Sequence, residues 1–266
     1  MTSLAPERPP VDRATTGRII AVANQKGGVG KTTTAVNVAA CLAEAGERTL
    51  VVDLDPQANA TSGLGERAGE TSSYDLLDGA PLGETVRRTR FGNLDLVPAC
   101  PELAGAAVEL ARDGAGESFL AGPLAPAREV YSFVFLDCPP SLGPLTVNAL
   151  ATADRVIIPV QCEYYALEGL TQLLHSIERI RARLNPRLSL AGILLTMATA
   201  RTRLTAEVAG EVRRHFGSLV FDAVVPRSVR LAEAPSHGLP ITSYDPHSRA
   251  ADAYYRVATE LVDRLA

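Results

Sequence analysis

The sequence predicts an α/β fold, a doubly wound, mostly parallel β-sheet flanked by helices. Three observations carry that expectation. Apolar runs rich in β-branched residues recur at 18–23, 49–53, 131–137, 155–160, 190–196 and 220–225, and unbroken runs of this kind suit strands buried on both faces of a parallel sheet. Helical patterns stand between most of them, as parallel crossovers require. A glycine-rich stretch, Asn24-Gln25-Lys26-Gly27-Gly28-Val29-Gly30-Lys31-Thr32-Thr33-Thr34, follows the first run directly and leads into a helical pattern. Strand, loop and helix in that order give a G-x-x-x-x-G-K-[ST] segment its meaning as a phosphate cradle.

Composition bounds the rest. A chain of 266 residues with 46% apolar and 21% charged residues is expected to form one α/β domain over 18–266. Residues 1–17 carry Pro6, Pro9, Pro10 and mixed charges with no apolar centre, which reads as a disordered tail and not a signal peptide. No apolar run approaches the roughly 18 residues of a membrane helix. The four cysteines, Cys41, Cys100, Cys138 and Cys162, form no C-x-x-C pair, so buried thiols of a reduced, cytoplasmic protein are expected and a metal site is not. The formal net charge is −4, yet between His175 and Arg230 ten arginines face four acids. That asymmetry is either a positive face on an acidic body or a set of solvated helix faces.

In the loop, Gly27, Gly28 and Gly30 let the backbone turn tightly and approach a ligand. The N–H groups from Gly27 through Val29 and Gly30 to Thr33, with the helix N-terminus behind them, suit an anion. Lys31 is expected to reach the β/γ-phosphates and the Thr32 hydroxyl to hold Mg²⁺. Of 26 basic residues only two are lysines, Lys26 and Lys31, and both lie here. A compact ammonium differs from a planar guanidinium where a point charge must enter a narrow cradle.

The remaining elements follow in order. The helix after the loop is expected over 35–45, closed at Gly46. The second strand, 49–53, ends in Asp53-Leu54-Asp55-Pro56-Gln57, and carboxylates at such a strand end lie beside the ligand crevice of a doubly wound sheet. Segment 61–90 is polar and Gly-rich, with a short helix at 73–77. A strand is expected at 93–98, a helix at 101–111 opened by Pro101, and a weak helix within 115–128. The run 131–137 ends in Asp137, the pattern of a strand whose acid holds Mg²⁺ through water. After the strand at 155–160, an amphipathic helix presents Leu170, Leu173, Leu174, Ile177 and Ile180 on one face and stops before Pro186. A strand at 190–196, a helix at 205–216, a strand at 220–225 and a packed helix at 247–265 complete the chain.

Several motifs together resemble one family. Lys26 to Thr33, K-G-G-V-G-K-T-T, is similar to the deviant Walker A loop of the ParA/MinD group of P-loop ATPases. Asp53-Leu54-Asp55-Pro56-Gln57 resembles its D-x-D-P-Q segment, and Asp137-Cys138-Pro139-Pro140 its D-x-P-P segment, with Cys138 where Thr or Ala is usual. Pro159 to Gly169 fits P-x-x-x-E-x-x-A-L-x-G, and 225–241 resembles the chromosomal ParA/Soj branch. The resemblance covers nearly all of the chain from Arg18 onward, except 61–128.

The resemblance implies an ATP hydrolase using ATP and Mg²⁺. Lys31 would act on the nucleotide of its own subunit and Lys26 on that of a partner, across a sandwich homodimer. Asp55 would orient the attacking water, with Asp53 supporting Lys26 or the metal shell. Thr32 and Asp137 would hold the metal, and Pro226-Arg227 would border the adenine. Arg201 and Arg230 would bind DNA non-specifically. Partners would be DNA and a ParB/Spo0J-like activator, the location cytoplasmic and nucleoid-associated, and the role chromosome or plasmid segregation. GTP is disfavoured, since no lysine remains for an N-K-x-D motif. His237 is expected at a turn and not in catalysis, because phosphoryl transfer of this kind works by positioning. A cluster-binding reading of Cys100 and Cys138 is disfavoured by the prolines that follow them. A MinD-like membrane-positioning ATPase is the alternative; the balanced charges of the last helix argue against the basic amphipathic anchor it would need.

Overall fold

Among the described residues eight strands form one sheet: β1 (Arg18–Val22), β2 (Thr49–Asp53), β3 (Arg87–Arg88), β4 (Leu94–Val97), β5 (Phe133–Asp137), β6 (Arg155–Gln161), β7 (Ser189–Ala198) and β8 (Val220–Pro226). This computed structural model describes residues 17–112, 118–163, 166–199 and 203–266. The spatial order is β3-β4-β2-β5-β1-β6-β7-β8. Every neighbouring pair is parallel except β3 with β4. The chain winds from β1 outward to β2 and β4, returns to β5 beside β1, then continues through β6 to β8 on the other side. Strand order therefore reverses at β1, where a doubly wound sheet opens its ligand crevice. Register places Asp53 of β2 opposite Asp137 of β5, and Asp137 opposite Val22 of β1.

Alternation along β1 divides the core. Ile19, Ala21 and Ala23 face a layer holding Leu103, Leu145, Leu173 and Ile177. Ile20 and Val22 face the loop helix (Lys31–Glu44) and the C-terminal helix (Arg249–Leu265), through Ala35, Val38, Tyr254, Val257 and Leu261. Both faces are covered, which is why β2 and β5 are buried at every position.

The loop helix begins at Lys31, four residues earlier than expected, because the turn is complete at Gly30 with φ +90°. The weak helix expected in 115–128 is two separate turns, Ala121–Leu124 and Ala127–Val130; Pro126 lacks the N–H that would bond Gly122 O and join them. Residues 113–117 lie outside the described residues, as do 1–16 of the expected tail. Gly17, that tail's last residue, belongs with the folded part: it is buried and its N–H donates to Arg128 O at 2.9 Å. Unforeseen elements include the antiparallel β3, the helix Pro144–Thr152, and the short helices Asn59–Gly63, Leu82–Thr85, Val229–Glu233 and Ile241–Tyr244.

Candidate functional site

The loop between β1 and its helix is held from two strands on the far side of β1. The Asn24 side chain donates through Nδ2 to Pro159 O of β6 at 2.7 Å and accepts from Lys26 N at 3.0 Å. Thr196 Oγ1 of β7 donates to Val29 O at 2.9 Å. Gly28 and Gly30 both take positive φ, +72° and +90°, a region open to glycine and strained for other residues.

A cavity of about 860 Å³ opens above this loop, within the size range of small-molecule sites. Gly27, Gly28, Gly30, Lys31, Thr32 and Thr33 line one side, Asp55 and Gln57 the next, and Pro226, Arg227, Leu231, Leu239 and Tyr254 an apolar end. Of the expected site residues, these loop positions, Asp55, Pro226 and Arg227 are brought together. Val29 is buried beneath the loop at 1% exposure, so it contributes backbone only.

Lys31 is buried, and its ammonium donates to Lys26 O at 3.1 Å. Burial lowers its pKa, while Asp137, Cys138 and Asp55 pull the other way. Beneath it Asp137 is fully buried, and neither carboxylate oxygen has a hydrogen-bond partner. Its pKa is pushed well up, first by desolvation and then by the charge of Asp53; Thr32 and Lys31 offset this only in part. A buried carboxylate with two unsatisfied oxygens is costly unless a cation completes it. Hard oxygens of Asp137 and Thr32, one buried ammonium and a cradle of N–H groups are a donor set that fits a magnesium–phosphate ligand.

Asp53 does not reach Lys26, contrary to one of the two roles expected of it. Its Oδ1 accepts from Asp55 N at 3.1 Å, and its Oδ2 from Thr61 N at 2.9 Å and Thr61 Oγ1 at 2.7 Å. Being wholly buried at the strand end, it has only local donors in reach; desolvation pushes its pKa up to about 6 against those bonds. Thr61 in turn accepts from Ala99 N at 2.9 Å. The Asp53–Thr61 link thus fixes the backbone that carries Asp55 into the cavity. Thr61 and Thr196 were missed from sequence; their partners are far along the chain or on the backbone, and no motif records them.

Lys26 does not line the cavity. Its exposed ammonium forms an ion pair with Glu163, at the end of β6. Arg230 pairs with Glu233 at 3.1 Å and Asp245 at 3.6 Å. Arg201 lies outside the described residues. His237 ends a 3-10 turn and stacks on Tyr244 with ring centroids 5.0 Å apart, the turn position expected of it. Among the described residues no group of three or more His, Cys, Asp or Glu could hold a metal by themselves, and all four cysteines are free and buried.

Comparison with known proteins agrees with this geometry. A family model described as an AAA domain matches residues 17–190. The sporulation initiation inhibitor protein Soj of Bacillus subtilis is 52% identical over 248 residues, covering 92% of this chain and 98% of that protein. The chromosome-partitioning ATPase Soj of Thermus thermophilus is 55% identical, covering 93% and 96%. A crystal structure of cobyrinic acid a,c-diamide synthase from Mycobacterium smegmatis with bound ADP and magnesium superposes with a TM-score of 0.78 at 37% identity, covering 91% of this chain and 92% of that one. The MinD cell division ATPase of Pyrococcus furiosus shares the fold, with a TM-score of 0.76 at 24% identity. With about half of its residues identical over more than nine-tenths of its length, this chain belongs to the Soj/ParA family of chromosome-partitioning ATPases.

Proposed function

We propose that this chain couples ATP hydrolysis to reversible, non-specific DNA binding as a sandwich homodimer, in the segregation of a chromosome or plasmid. The observation that carries the reading is the division of labour between its two lysines. Lys31 is buried under the loop beside Asp137, whereas Lys26 stands outside the cavity with its ammonium on the surface. A charge so placed lies outside its own subunit's cavity, on a surface that a second copy could meet once Glu163 releases it.

The residues take the following roles. N–H groups of Gly27, Gly28, Val29, Gly30 and Thr33 surround the phosphates, with Lys31 supplying the fixed charge. Thr32 and Asp137 would hold Mg²⁺, whose charge would be available to the phosphoryl oxygens. Asp55, anchored through its N–H to Asp53, orients the attacking water. Pro226 and Arg227 border the base at the apolar end of the cavity. Arg230 from both subunits, with Arg201, lies along the DNA, and a ParB/Spo0J-like activator speeds hydrolysis and release. The site of action is the cytoplasm, on the nucleoid.

The identity to Soj proteins, 50–55%, exceeds the 37% to the diamide synthase, which supports partitioning over biosynthesis. The test is a pair of variants in a salt-titrated DNA-binding assay with ADP, ATP and a slowly hydrolysed analogue. Lys26→Gln is expected to bind ATP yet remain monomeric and off DNA. Asp55→Ala is expected to stay dimeric on DNA without turnover. A Lys26→Gln protein that dimerises with ATP as well as the parent refutes the trans-acting lysine.

A further inference from the structure

We propose that Thr196 is a positioning residue of the phosphate loop: its hydroxyl locks the Val29–Gly30 peptide so that the Gly30 N–H faces the cavity. Thr196 sits near the end of β7, two strands from β1, and is 2% exposed. Its Oγ1 donates to Val29 O at 2.9 Å. In a trans peptide the carbonyl and the following N–H point in opposite directions. Holding the Val29 carbonyl toward β7 therefore turns the Gly30 N–H away from β7 and into the cradle.

Gly30 does not make that choice itself. At φ +90° and ψ 29° it occupies the left-handed region, and glycine enters positive and negative φ with comparable ease. The plane of the preceding peptide is the soft coordinate of the loop, and a flip would present a carbonyl oxygen to an anion. The start of the loop has its own tether, Asn24, bonded to Pro159 O and Lys26 N. Thr196 is the corresponding tether at the end, where the helix begins. Its side chain also lines the cavity, with Cγ2 3.9 Å from where a Gly30 Cβ would stand.

The inference rests on reading this cavity as the nucleotide site, and the experiment separates the two. Thr196→Val keeps the shape and removes the donor; Thr196→Ser keeps the donor. Amide exchange over 27–32 is measured on the nucleotide-free chain, and binding of ADP and an ATP analogue with Mg²⁺ by calorimetry. The Val variant is expected to exchange faster in that segment and to bind about tenfold more weakly, since a buried carbonyl loses its partner. The Ser variant is expected to stay within about twofold of the parent in binding. Parental exchange in the Val variant overturns the proposal. So does faster exchange spread evenly over β6, β7 and β8, or a Ser variant as impaired as the Val one. If the parent itself binds no nucleotide, the functional reading fails, while the exchange result still decides the role of Thr196.

Discussion

At the scale of single residues, two charges in the site are in tension with their surroundings, and each gives a prediction. The Lys26–Glu163 pair is exposed on both sides, 55% and 44%, and such pairs contribute little to stability. Its consequence is competition: Glu163 holds the ammonium that a partner subunit's phosphates would take. Glu163→Gln is expected to bring ATP-dependent dimerisation to a several-fold lower protein concentration in sedimentation velocity, with a nucleotide-free melting point unchanged. Unaltered dimerisation would remove Glu163 from the account. Asp137 is the opposite case, a wholly buried carboxylate whose desolvation Thr32 and Lys31 offset only in part. Its raised pKa means the folded chain holds that proton more tightly than the unfolded one. This contribution to stability is present below the ordinary carboxylate pKa and is lost as pH rises toward the raised value. Asp137→Asn, measured without Mg²⁺ at neutral pH, is expected to raise stability by about 1–2 kcal/mol, lose that pH slope, and abolish Mg-dependent nucleotide binding. Lys31, Thr32, Asp55 and Asp137 were legible because each lies within a few residues of a glycine turn or strand end. The pairing of Glu163 with Lys26 was not: the acid falls in the P-x-x-x-E segment, but its partner stands 137 positions away.

At the scale of elements, the edges of the central strands are pinned by one buried-side cluster. Arg128 grips Asp154 with two bonds, 2.6 and 2.9 Å, and also donates to Gly17 O at 3.0 Å; Asp154 Oδ2 accepts from Ile19 N at 2.9 Å. With side chains 25% and 18% exposed, removing one partner strands the other. Asp154→Ala is expected to cost about 3 kcal/mol, or a melting-point drop of about 6–12 °C for a chain of this size. Gly192 of β7 gives a steric counterpart. A Cβ there would stand 2.5 Å from the Phe221 ring, itself packed under Arg264 at 4.4 Å. Gly192→Ala is expected to destabilise by about 1–3 kcal/mol in urea unfolding. Strands such as β2 and β5 were legible because burial on both faces writes itself as an unbroken apolar run. Pro144–Thr152 was not, since six of its nine residues are buried and no polar stripe marks a helical period. The two residues of β3 are too few for any alternation to register.

At the scale of the whole molecule, what remains exposed decides between DNA and membrane. The apolar stripe of the C-terminal helix, Tyr254, Val257, Leu261 and Leu265, is already spent in the core beside the loop helix. No helix among the described residues is long and apolar enough to cross a membrane. Anionic vesicles are therefore expected to leave the protein in the supernatant with ADP or ATP alike; sedimentation with vesicles in ATP alone would favour the MinD-like alternative. The positive segment offers a surface of a different kind. Its local excess of six charges sits on a chain of net −4, and several of its arginines are paired, Arg181 with Glu178, Arg203 with Glu207 and Arg230 with Glu233. One subunit so balanced displaces few counterions from DNA. Two subunits on the same duplex would double the phosphate contacts, and the logarithm of affinity falls with the logarithm of salt in proportion to that number. The salt slope of DNA binding with the slowly hydrolysed analogue is expected to be about twice that with ADP. Equal slopes in the two states would mean that nucleotide changes affinity without changing the number of phosphates engaged, and a doubled surface would no longer explain the gating.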